Sequence, residues 1–79
     1  MMATKKRATE KPPALLDVVA LLTDLPRHRL ARGQVGTIVD KLKGGTLLVE
    51  FSDDQGRQYA LATCTPAQLL PLRYVENAA

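Results

Sequence analysis

The chain is predicted to fold as a small all-β domain of five short antiparallel strands, and three observations predict it. Arg32-Gly33-Gln34-Val35-Gly36-Thr37-Ile38-Val39 is a β-branched run with a glycine inside it, as a bent strand requires. Lys43-Gly44-Gly45-Thr46 is a hairpin signal between alternating segments. Asp53-Asp54-Gln55-Gly56-Arg57 is a second one. None of the three draws an active site.

With 79 residues the chain makes one domain at most. A chain this short buries about 60% of its unfolded surface, so its stability is modest. The apolar residues are almost all aliphatic; Phe51, Tyr59 and Tyr74 are the aromatics and Trp is absent. A high apolar share in so small a chain means a very full core or apolar surface that needs a partner.

Residues 1–13 form a basic tail ending in Pro12-Pro13. Lys5, Lys6, Arg7 and Lys11 stand there against Glu10, which accounts for the whole net charge of +3. From residue 14 onward seven Lys and Arg are balanced by seven Asp and Glu, so the folded body is neutral. The basic balance therefore says little about nucleic acid. The tail buries too little apolar area to offset its ordering entropy and is expected to be disordered. It reads as a solubilising segment, or alternatively as an arm for nucleic acid or an acidic partner.

Ala14 to Leu25 admits two readings. Leu15, Val18, Leu22 and Leu25 share a helical stripe behind Pro13. Leu16, Ala20 and Leu21 lie off that stripe, and Val18-Val19 favours a strand. The strand is preferred, over Val18 to Thr23, buried on both faces. Asp24 to Gly33 is then a long connection, pinned by Leu25 and Leu30, with Arg27, His28, Arg29 and Arg32 turned to solvent.

The registers follow from side-chain pattern. A two-residue turn at Gly44-Gly45 sets Leu42 opposite Leu47, Asp40 opposite Val49 and Ile38 opposite Phe51, leaving Leu48 outside. A three-residue turn, Asp54-Gln55-Gly56 with Gly56 left-handed, sets Phe51 opposite Tyr59 and Val49 opposite Leu61. Ser52–Gln58 and Glu50–Ala60 fall on the outer face. Thr65-Pro66-Ala67-Gln68 reads as a capped helical or 3₁₀ turn. Leu69 to Leu72 re-enters as a strand, with Pro71 at an edge or strand end. Residues 74–79 are a tail.

Five strands, a long first loop, two tight hairpins and one helical turn before the last strand give the order of an SH3-like barrel occupying residues 14–73. In that order the last strand lies beside the first. The segments Leu15 to Leu22, Asp24-Leu25-Pro26, Arg32 to Val39, Val49 to Asp53 with Gly56, Tyr59-Ala60-Leu61 and Gln68 to Leu72 also resemble a small bacterial domain family of unknown function. Asp24 to Ser52 is more loosely similar to the barrel of the nitrile hydratase β subunit, and Gly33 to Val39 to the short KOW signature. These resemblances imply a fold and no activity.

Chemistry-bearing residues are few. One His and one Cys give no metal set, and Cys64 at a strand end reads as packing despite a formal pairing with His28. Asp53 and Asp54 read as turn residues, because an Asp side chain in a turn bonds the local backbone. No phosphate loop or nucleophile elbow is present. A lone cysteine, no long apolar run and no secretory signal suggest a cytoplasmic protein without cofactor or membrane contact.

Arg27, His28, Arg29 and Arg32, with outward Leu48, make the candidate binding surface. The arginines could equally pair with Asp24 and Asp17. Phe51 and Tyr59, both expected inside, would offer no stacking platform for single-stranded nucleic acid. The expected function is a non-enzymatic module that binds another protein or itself. The alternatives are a nucleic-acid-binding KOW-like domain and an antitoxin or immunity protein.

Overall fold

A computed structural model of the chain describes residues 12–73; residues 1–11 of the basic tail, with its expected disorder, and residues 74–79 lie outside them. The five strands are β1 (Val18–Leu21), β2 (Val35–Lys41), β3 (Leu47–Ser52), β4 (Gln58–Cys64) and β5 (Leu69–Pro71). They form one open antiparallel sheet in the order β4-β3-β2-β1-β5. The all-β class, the strand count and the placing of the last strand beside the first match the expectation. Three 3₁₀ turns, Pro26–His28, Lys43–Gly45 and Pro66–Gln68, interrupt the strands. Among the described residues no helix is long and apolar enough to cross a membrane.

The ambiguous segment is a strand, but it is buried on one face only. Val19 and Leu21 enter the core while Val18 and Leu22 face out. A sheet one layer thick has one core face, so an unbroken apolar run cannot bury both sides of its strand. Val19 and Leu21 join Leu30, Ile38, Leu47, Val49, Phe51, Ala62, Cys64 and Leu69 in a single cluster, with Leu25 and Ala60 packed against it.

The first hairpin is longer than the glycine pair suggests. The Leu42 N–H donates to the Thr46 carbonyl at 2.8 Å, so Lys43 joins the turn and Lys41 faces Leu47. A bulge between Ile38 and Asp40 adds a second one-residue slip, and Ile38 faces Val49 instead of Phe51. Two slips of one restore the original phase. Ile38, Leu47, Val49 and Phe51 therefore all remain inside, as the pattern requires.

The second hairpin has the expected three-residue turn. Gly56 is left-handed at φ +81°, and the Asp53 N–H donates to the Arg57 carbonyl at 2.9 Å. Asp53 Oδ1 accepts the N–H groups of Gln55 and Arg57, both at 2.9 Å, which is the turn role read from the sequence. Ser52 faces Gln58 as anticipated, but a bulge follows immediately and Phe51 faces Ala60. This single slip is not compensated. Tyr59 and Leu61 turn outward, against expectation, and Ala60, Ala62 and Cys64 turn toward the core.

The reason is space around Phe51. A Cβ on Gly36 would lie 2.9 Å from Phe51 Cδ2, 2.7 Å from Val49 Cγ1 and 2.8 Å from the Glu50 carbonyl oxygen. The ring already occupies the volume of a side chain at position 36, and on its other flank only an alanine is seated. Gly36 thus serves close approach of backbone and ring. At the turn before β5, the Thr65 N–H donates to Gln68 Oε1 at 2.9 Å. Pro71 ends its strand on the sheet edge, as read.

Gly36→Ala must push a backbone carbonyl, which cannot rotate away as a side chain could. The variant is expected to lose about 1–3 kcal/mol, seen as a lower urea midpoint at unchanged m-value.

Candidate interaction surfaces

The long connection is built as a miniature hairpin. Leu25 and Leu30 exchange backbone hydrogen bonds of 2.8 and 3.1 Å, and Leu30 is buried. Pro26 opens the 3₁₀ turn with its fixed φ, and Arg29 closes it in the left-handed region at φ +57°. A non-glycine residue there costs about 1–2 kcal/mol, which the anchoring of both leucines sustains. Arg27, His28 and Arg29 therefore stand exposed on one rigid tip.

Arg32, also exposed, follows the hairpin with its N–H held by Asp24 Oδ1 at 2.8 Å. Among the described residues no ion pair joins these arginines to Asp24 or Asp17: Asp24 Oδ1 accepts the Arg32 backbone N–H, and Asp17 Oδ2 accepts from Ala14 N at 2.9 Å. Among the described residues the ion pair present is Arg57–Asp53 at 3.2 Å, which is exposed and contributes little.

Leu48 is on the outer face, half-buried, between Asp40 of β2 and Thr63 of β4. The loop instead enters β2 at its opposite end, at Val35. The fold thus keeps Leu48 apart from the arginines, and the candidate surface divides in two.

Tyr59 takes the place beside the loop. It is 50% exposed, its hydroxyl accepts from Gln34 Nε2 at 3.0 Å, and the Pro26–His28 turn lies against β4. The sequence pattern could not place this aromatic, because its face depends on the bulge.

A larger surface was also missed. Val35 and Leu70 both pair with Ala20, aligning three apolar residues across β2, β1 and β5. Val35 is 45% and Leu70 47% exposed, with Val18, Leu22 and Leu72 exposed around them. At the entry to β1, Leu16 is left-handed at φ +72° and 71% exposed. The unbroken apolar run carries the signal of this surface, although its pattern predicts burial on both faces.

Cys64 and His28 are not brought together, one being in the core and the other on the loop tip. Among the described residues no three His, Cys, Asp or Glu side chains gather as a metal set would. Desolvation by burial pushes the Cys64 thiol above its usual value of about 9. A raised folded-state value contributes stability that is complete below the unfolded-state value near pH 9 and is lost as the pH rises from there through the folded-state value. Wild type is therefore expected to lose more stability above about pH 9 than Cys64→Ala does, in denaturant titrations at stepped pH.

Neither the curated proteins nor the solved structures include a match. The family model described as "Domain of unknown function (DUF4926)" matches residues 15–71, nearly all of the described fold. On the strength of that coverage, the chain belongs to the DUF4926 family.

Proposed function

We propose that the domain is a non-enzymatic interaction module whose outer sheet face receives another protein. The supporting observation is the Val35–Ala20–Leu70 row, flanked by Val18, Leu22 and Leu72. Single exposed leucines are ordinary on a surface, but six contiguous apolar residues on one face of three paired strands form a patch. The patch contains no charge, as the centre of a protein interface requires. A lone cysteine kept as a buried thiol suits work in the reducing cytoplasm. An antitoxin or immunity role is one form of this reading, and it predicts that a neighbouring reading frame is toxic when expressed alone.

The test is affinity capture with mass spectrometry. Val35→Asp and Leu70→Asp are exposed positions, so folding is expected to survive while the captured protein is lost. A partner retained by both variants would move the interface elsewhere.

Nucleic-acid binding is a second reading, and the position of Tyr59 favours it more than the sequence did. An exposed aromatic on β4, the strand against which the Pro26–His28 turn lies, supplies a stacking face on the same strand as the arginine loop's contact. That reading predicts single-stranded binding that weakens steeply with salt and is lost in Tyr59→Ala and in the combined Arg27, Arg29 and Arg32 to Ala variant. Absence of binding at low salt removes it.

A further inference from the structure

The two edges of the sheet are not equivalent. On β5, the Leu22 N–H donates to the Gln68 carbonyl and the Leu72 N–H to the Val18 carbonyl, both at 2.8 Å. Antiparallel alternation then turns Leu69 and Pro71 to the open side. The Leu69 N–H is taken by the Pro66 carbonyl, and Pro71 has none. This edge offers no donor to an incoming strand, a common protection against edge pairing.

The β4 edge has no such protection. Ile38 gives both backbone groups to the β1 side, to Leu16 and Asp17, at 2.8 and 3.0 Å. Its partner Val49 must then give its own groups to Ala62 on β4. The neighbours of Ala62, Leu61 and Thr63, accordingly direct N–H and C=O away from the sheet. The Pro26–His28 turn lies against β4, but its backbone bonds stay within the loop. The strand Gln58–Cys64 carries no charged side chain and no proline.

We infer that the β4 edge pairs antiparallel with the β4 edge of a second copy of this chain, joining two five-stranded sheets into one. The strand is self-complementary: with the two-fold axis through Ala62, Leu61 faces the partner's Thr63 and all four outward groups of each pair are satisfied. Alanines at positions 60 and 62 leave no bulky side chain over the junction on the core side. The body from residue 14 onward is neutral and strand β4 uncharged, so the junction itself brings no like charges together. Because the β5 edge cannot accept a strand, assembly closes at two copies and does not run on into a fibre. The inference is independent of the partner face over β2, β1 and β5, which lies at the other side of the sheet and stays open in the dimer.

Sedimentation velocity on the full chain at rising concentration, with hydrogen exchange read at single amides, tests it. The expected result is a mass rising from 8.6 kDa toward twice that value, with the Leu61 and Thr63 amides becoming protected as it rises. Leu61→Lys adds a charge to the exposed edge opposite Glu50 and is expected to remain folded and monomeric. Thr63→Pro removes one outward donor and is expected to do the same. A strict monomer at every concentration overturns the inference. So does a dimer whose Leu61 and Thr63 amides exchange freely, or one that persists in folded Leu61→Lys. Val35→Asp, which strikes the partner face, is expected to leave the dimer intact, so the two surfaces are tested separately.

Discussion

The seat of the Phe51 ring is the constraint on which the rest of the sheet depends. Phe51 is fully buried near the C-terminal end of β3 and needs small neighbours on both flanks. Gly36 supplies one, where the ring fills the place of its missing side chain. Ala60 supplies the other, and only because a bulge moves Tyr59 out of the position opposite the ring. Truncating a buried Phe costs about 3–5 kcal/mol, a large part of the stability of a domain this small. A core of this size can hold one large aromatic well, and the strands on either side adjust their registers to it.

That adjustment decides what the protein shows to solvent. One uncompensated slip on β4 turns Tyr59 and Leu61 outward and brings three small residues inward. Tyr59 then meets the arginine loop through Gln34, and Leu61 becomes part of an uncharged edge. On β2 the slips come in a pair, so Ile38 stays inside although its partner changes. The same local irregularity thus alters the surface on one strand and leaves it unaltered on another. Only the parity of the slip matters.

The surfaces left exposed differ in chemistry, and so do the partners they suit. The row across β2, β1 and β5 is apolar, fitting a protein face. The loop tip is cationic and anchored by buried Leu30 and partly buried Leu25, although one of its residues is left-handed. The β4 edge presents backbone, whose recognition depends on strand geometry more than on side chains. The β5 edge is closed by a 3₁₀ turn and a proline.

Much of the architecture was legible in the residues themselves. Hairpin glycines, the Thr65–Gln68 turn, Pro71 at an edge and the anchoring of the first loop by Leu25 and Leu30 each follow from chemistry that acts within a few residues. The β3 core face was legible too, because its alternation is strict. What sequence left open depended on contacts between strands far apart in the chain. The bulges beside Ile38 and Tyr59, the one-sided burial of Val18 to Leu22 and the separation of Leu48 from the arginines are of that kind. Local pattern determines which residues form strands and turns, whereas register across strands is decided by how one aromatic ring fills a shared core.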